Sequence, residues 1–120
     1  RNPINLMLDT KLMLQSLERV SVVISEKLKS PVRCVFEDNK VTMSAKTASG
    51  DAKDVCRIAG DGQGLEIGFN NRYLMDALRY APADTVKMEL NTGISPAIIV
   101  PVEGEENFLY MVLPVRLKAN

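Results

Sequence analysis

Histidine is absent from the 120 residues. That removes the side chain most often used as a general base near neutral pH and the commonest ligand of transition metals. Ser16, Ser21 and Ser44 have no histidine to activate them, so a Ser-His-Asp triad is excluded and lysine-assisted variants lack support. Net charge is absent as well, because 15 basic and 15 acidic residues cancel. No bulk attraction to nucleic acid or to an anionic membrane follows, and any basic surface must come from uneven placement. No apolar run is long enough to span a bilayer, and no signal-peptide pattern opens the chain. Cysteine is scarce. Cys34 and Cys56 are too far apart in sequence for a metal knuckle, and two buried, reduced thiols are expected. The chain opens on Arg1 rather than on methionine, as expected of a piece of something longer.

What is present reads as one globular domain. Hydrophobic content of 46% and charged content of 25% are ordinary values. A chain of this length buries roughly 65% of its unfolded surface. Its strongest signal is an internal repeat. Leu6 to Leu17 reads in parallel with Ile67 to Leu78 at a constant offset of 61 residues. Each copy has an apolar run, a polar pair, a basic residue and then apolar residues at helical spacing. One supersecondary unit used twice is the expected architecture.

In the first copy, Asn5 to Asp9 is a strand and Thr10 caps a helix to about Val23, with Met13, Leu17, Val20 and Ile24 as its buried stripe. Ser25 to Pro31 is a polar loop. Val32 to Phe36 is a strand, Asp38-Asn39 a turn, and Lys40 to Lys46 an alternating strand. A third strand runs from Ala52 to Ile58, and Gly60, Gly62 and Gly64 then break the pattern. In the second copy, Leu65 to Phe69 is a strand and Asn70 or Asn71 caps a helix to about Tyr80. Val86 to Leu90, Ile94 to Val100 and Phe108 to Leu113 are its remaining strands. The later strands match at a shorter offset, with Phe36 corresponding to Leu90. Each half is strand, helix, strand, strand, strand.

Two candidate sites carry little chemistry. Gly60-Asp61-Gly62-Gln63-Gly64 precedes a strand, whereas a phosphate-cradling loop follows one and opens a helix. Glu103-Gly104-Glu105-Glu106 sits in a hairpin loop with nothing nearby to desolvate it, so a solvated loop is the better reading than an acid-base pair or cation site. The helix faces say more. Lys11, Arg19, Arg72 and Arg79 face outward with Glu18 and Asp76, a net +2 in a neutral chain. Two helices side by side would pool these cations on one surface suited to phosphate contact without base reading. Met111, Leu113 and Val115 alternate onto one face near the C-terminus. They are read either as core or, with Arg116 at the rim and Tyr73 nearby, as a shallow apolar groove for a peptide.

Residues 66–78, Glu-Ile-Gly-Phe-Asn-Asn-Arg-Tyr-Leu-Met-Asp-Ala-Leu, and 110–117, Tyr-Met-Val-Leu-Pro-Val-Arg-Leu, carry a family resemblance. With Ser25-Glu26-Lys27 and Val32-Arg33, they make the chain resemble the C-terminal domain of the bacterial DNA polymerase III beta subunit, the sliding clamp. The resemblance covers essentially the whole chain. It implies an α+β DNA-clamp fold, two helices packed on antiparallel sheet, with pseudo-repeats over about 4–60 and 65–117. It further implies the third domain of a three-domain subunit, two of which close head to tail into a homodimeric ring around duplex DNA. The implied function is that of a non-enzymatic, cytoplasmic, nucleoid-associated processivity factor, without catalytic residues, metal or cofactor. Its partners would be DNA, the replicative polymerase, the clamp loader and repair proteins carrying short linear motifs. Carried over by position, Asn70, Tyr73, Ile94, Pro96, Met111, Leu113, Pro114, Val115 and Arg116 would line the motif-binding pocket. Lys11, Arg19, Arg72 and Arg79 would face DNA. Val22, Val23, Asp51 and Asp54 would lie at the subunit junction. The family often has methionine where this chain has Leu113 and Val115, and serine where it has Pro96, changes that keep the pocket apolar but stiffen it. A stand-alone peptide-binding module is the alternative reading. A hydrolase using Asp or Glu would need two converging carboxylates, and the spacing offers none.

Overall fold

The computed structural model describes residues 4–24, 31–48, 50–81, 84–102, 109–115 and 117. The chain begins with strand β1 (Ile4–Asp9), helix α1 (Thr10–Val20) and a 3-10 turn (Ser21–Val23). Two long strands follow, β2 (Val32–Thr47) and β3 (Gly50–Phe69), then helix α2 (Asn71–Arg79). The remaining strands are β4 (Thr85–Leu90), β5 (Ala97–Pro101), β6 (Tyr110–Val112) and β7 (Pro114–Val115). They form a curled antiparallel sheet in the order β2-β3-β1-β4-β5-β6, with β7 on β3. Both helices pack on its inner face and against each other. The expected loops over 25–30 and 103–106, together with Phe108, Arg116 and the tail 118–120, lie outside the described residues.

Alternation builds the core. Ile4, Leu6 and Leu8 are buried while Asn5, Met7 and Asp9 are exposed, as a half-buried strand requires. Met13, Leu17 and Val20 from α1 meet Leu74, Ala77 and Leu78 from α2 over Phe36, Phe69, Ile67 and Met88 of the sheet. Full burial of each large side chain contributes about 1.5–3 kcal/mol. Ile24 and Ala81, expected on the helix stripes, follow the helices and are only half-buried.

The repeat is written into the ladders. β1 pairs with β4 through Ile4↔Leu90 and Leu8↔Val86. Shifted by the two sequence offsets, these become Leu65↔Phe36 and Phe69↔Val32, which are the pairs joining β3 to β2. The caps repeat too. Asp9 accepts from the Leu12 N–H at 2.9 Å, and Asn70, its counterpart 61 residues on, caps α2. Thr10 is therefore not the cap expected of it. It is the first helical residue, and its N–H donates to the Asp84 carbonyl at 2.8 Å.

Two expected breaks are not breaks. Asp38-Asn39 lies inside β2, where the ladder shifts register and Asn39 takes φ +59. Gly60, Gly62 and Gly64 lie inside β3, which runs from the last strand of the first unit into the first strand of the second. Conversely, Ile94 does not open a strand as expected but lies before β5, in the connection that leaves β4. A bulged, strongly twisted strand needs the same residue types as a turn, which is why composition suggests turns here.

Candidate docking site and helix face

The N-terminus of α2 is set by its cap. Asn70 is extended (φ −67, ψ 119), and its Oδ1 accepts from the Arg72 N–H at 3.0 Å and the Tyr73 N–H at 3.2 Å. Its side-chain oxygen is thus committed to capping the helix. One residue separates outside from inside on this helix. Tyr73 is 59% exposed, while Leu74 is fully buried.

The connection from β4 to β5 folds on itself. Thr92 Oγ1 lies 2.7 Å from Ser95 Oγ and accepts from the Ile94 N–H at 3.3 Å. This leaves Ile94 84% exposed and Pro96 half-buried. Gly93 holds the connection against β3, since a Cβ there would lie 2.7 Å from the Glu66 carbonyl oxygen. The C-terminal segment arrives at the same stretch. Phe69 pairs with Pro114 and Gly68 with Val115, and a Cβ at Gly68 would lie 2.5 Å from Leu117 Cδ2.

Three pieces of chain therefore meet at the end of β3: the Ile94 connection at Glu66, β7 at Gly68 and Phe69, and α2 starting after Asn70. β6 packs against α2 and brings Met111. Met111 and Leu113 are 53% and 66% exposed, while Val112 between them is buried. Of the two readings of this segment, core does not describe Met111 and Leu113, and Val115 is half-buried.

The expected helix-face cations sit on one side of the sheet but are largely engaged. Arg19 is held by Asp54 of β3 at 2.8 Å and also donates to Ser16 Oγ at 3.2 Å. Arg79 meets Asp76 at 3.4 Å and reaches across to Glu18 of α1 at 3.7 Å. Arg72 and Lys11 are exposed, and among the described residues Lys11 has no ion pair. A sum over helix charges alone misses Asp54, which adds a third anion to this surface. Burial by itself pushes the Asp54 carboxyl up. Hydrogen bonds from Ser16 and Arg19, and the Arg19 charge, more than offset it and hold the group below its ordinary value.

The expected junction residues are near one another. Val22 is 78% exposed, Val23 half-buried, Asp51 exposed and Asp54 half-buried. Among the described residues, the β1 side of β3 is paired by β1 at Ile58 and Ala59 and by β7 at Gly68 and Phe69, so residues 51–57 have no strand partner there. A shallow cavity of about 230 Å³ lies where β1 meets β3 and β4, lined by Met7, Asp9, Arg57, Ala59 and Thr85 among others. None of the expected site residues lines it. Among the described residues no acidic, cysteine or histidine cluster could hold a metal, and no helix is long and apolar enough to cross a membrane.

Two helices on a curled antiparallel sheet, built from a duplicated unit, define a domain of the DNA-clamp class. The family model for the DNA polymerase III beta subunit, C-terminal domain, matches residues 2–116, and the chain belongs to that family. It is 33% identical over 118 residues to the beta sliding clamp of Synechocystis sp., covering 92% of this chain and 28% of that protein. A Caulobacter crescentus beta sliding clamp superposes with a TM-score of 0.90 at 25% identity, covering 98% of this chain and 31% of that one. A Bartonella birtlesii sliding clamp bound to griselimycin gives 0.88 at 27% identity, covering 97% and 31%. The chain thus spans a little under a third of the length of these relatives.

Proposed function

We propose that the chain serves as the third domain of a three-domain sliding-clamp subunit, a non-enzymatic processivity factor of the bacterial cytoplasm. Two full-length subunits close head to tail around duplex DNA, and the closed ring cannot leave it. A polymerase tethered to the ring stays at its template. The lining needs only diffuse positive potential, because tight phosphate contacts would slow sliding. A helix face whose arginines are partly neutralised by Asp54, Asp76 and Glu18 suits that requirement.

The docking half of the proposal has short linear motifs of polymerase, clamp loader and repair proteins entering beside Asn70, Tyr73, Ile94, Pro96, Met111, Leu113, Pro114, Val115 and Arg116. The observation that carries it is the set of exposed apolar side chains, Tyr73, Ile94, Met111 and Leu113, on elements that converge on the end of β3. Exposed apolar groups gathered in one place, unlike scattered ones, mark interaction surfaces. On this reading griselimycin, which the Bartonella relative binds, also binds this chain at that site and so serves as its probe.

The test uses the full-length protein and its cognate clamp loader on nicked circular plasmid. The protein should remain on the circle through gel filtration and be lost when the plasmid is linearised. Retention on the linear form would overturn encirclement, and griselimycin binding without retention on the circle would favour a stand-alone docking module.

A further inference from the structure

The N-terminus of α2 and the end of α1 are joined by one side-chain hydrogen bond. Asn71 Nδ2 donates to Ser21 Oγ at 3.0 Å, across 50 residues of sequence. Asn71 follows the cap Asn70 and precedes Tyr73 by two, so it belongs to the first turn of the helix that flanks the docking site. Ser21 opens the 3-10 turn that carries Val22 and Val23. The other end of that turn is held from β2, where Thr47 Oγ1 donates to the Val23 carbonyl at 2.8 Å. Thr47 closes β2 just before β3 begins at Gly50 and Asp51.

No residue of this turn is buried. A 3-10 segment has poor hydrogen-bond geometry, so its shape depends on what grips its two ends. The grips are neutral hydrogen bonds, each worth about 1 kcal/mol. Besides these grips the turn has the Ser21 N–H on the Leu17 carbonyl, the Ile24 N–H on the Ser21 carbonyl and the half-buried Val23, so it belongs to the part of the fold that opens at low cost.

We infer that Asn71 and Ser21 are positioning residues that couple occupancy of the docking site to the conformation of the Val22–Val23 turn. The inference rests on the docking site proposed above and on the subunit junction that the family resemblance implies at Val22 and Val23. A ligand seated on Asn70 and Tyr73 immobilises the first turn of α2. Asn71 then presents its amide in one place, the Ser21 bond strengthens, and the turn bearing Val22 is held wound. Because coupling between binding events is reciprocal, a partner subunit packed on Val22 raises affinity at the docking site by the same factor.

The experiment measures exchange of the Ile24 amide, which closes the turn on the Ser21 carbonyl at 2.9 Å. NMR-detected hydrogen exchange is recorded on the full-length protein with and without saturating griselimycin. In the wild type, griselimycin should slow Ile24 exchange about fivefold. Asn71→Ala and Ser21→Ala should each cut that slowing below about twofold while griselimycin affinity stays within about threefold, and the double variant should do no more than either single. The two single variants report independently, so one that fails to fold leaves the other. Full slowing in either folded single variant would overturn the coupling. So would an Ile24 amide indifferent to bound griselimycin in the wild type, with the docking assignment left standing. If griselimycin does not bind, or binds both Tyr73→Ala and Leu113→Ala as tightly as wild type, the docking assignment itself fails and the coupling falls with it.

Discussion

The Arg19 guanidinium lies 2.8 Å from the Asp54 carboxylate, tying α1 to β3 across 35 residues. A residue expected to face DNA and one expected at the subunit junction are thus a single ion pair. The pair is partly exposed, so screening limits its contribution to below about 1 kcal/mol. Its pH dependence has a definite sign. The folded state holds the Asp54 carboxyl below its ordinary value of 3.8, so the contribution is complete above that value and fades as pH falls through the folded one. Asp54→Asn should lower the urea midpoint at neutral pH. The deficit should shrink progressively as acid protonates the wild-type carboxyl, below about pH 4. A deficit that does not change with pH would show that charge is not what Asp54 contributes.

Gly62 and Gly64 should respond unequally to the same substitution. Gly62 has room for no side chain: a Cβ would lie 2.2 Å from Phe36 Cβ and 2.5 Å from the Phe36 carbonyl oxygen, with Phe36 fully buried. Gly62→Ala must force β2 and β3 apart, at a cost of about 1–3 kcal/mol or more. Gly64 has open space but takes φ +76, so Gly64→Ala should cost only about 1 kcal/mol of backbone strain. Urea midpoints of the two variants give the order directly.

The same glycines show where the sequence is legible and where it is not. β1, α1, α2 and β4 are legible because apolar periods of two and 3.6 persist long enough to be distinctive. The ladder between β1 and β4 is implicit in the repeat offsets. The continuity of β3 is not legible, because Asp61 Oδ1 accepting the Gln63 N–H at 2.8 Å is a local bond common to turns and bulged strands. Asn39 is similar: its positive φ suits a turn, yet its Oδ1 accepts from Gly60 N–H at 3.2 Å, where the irregularities of β2 and β3 face each other. At the candidate site, alternation identifies Met111 and Leu113 as a set but does not say which face they take. The Asn71–Ser21 and Arg19–Asp54 contacts join distant residues and leave no local pattern.

Burial makes the two thiols unequal in reactivity. Burial pushes the Cys34 thiol up to about 12, so near pH 8 roughly one molecule in ten thousand carries the thiolate. Cys56 is also raised, chiefly by burial, with the Ser16 hydrogen bond acting against it. Iodoacetamide should therefore label the native protein slowly, Cys34 more slowly than Cys56, and both should react rapidly in urea. Peptide mapping of the labelled protein resolves the two sites.

Tyr73 and Leu74 are neighbours with opposite expected phenotypes. Tyr73→Ala and Leu113→Ala remove exposed side chains, so stability should stay within about 0.5 kcal/mol of wild type. Griselimycin affinity should nonetheless fall about tenfold or more in each, as expected for aromatic or apolar anchors of a docking site. Leu74→Ala empties a fully buried position and should cost about 2–5 kcal/mol. Calorimetric titration beside a denaturant melt separates the two effects. Unchanged affinity in both surface variants would remove the docking site from the end of β3.

Lys11 should matter more to DNA than Arg19. Both are exposed on α1, but Arg19 has its charge directed at Asp54, while Lys11 has no ion pair among the described residues. A phosphate must compete with Asp54 for Arg19. Every phosphate that the protein neutralises steepens the dependence of log Kobs on log salt by about 0.9. In the full-length protein, Lys11→Ala should reduce that slope by a sizeable part of one phosphate per subunit, and Arg19→Ala by much less. Adding Asp54→Asn should free Arg19 and restore part of the slope that Lys11→Ala removes. If Arg19→Ala proves the more damaging change, the Arg19–Asp54 pair opens on DNA and the cation belongs to the lining after all.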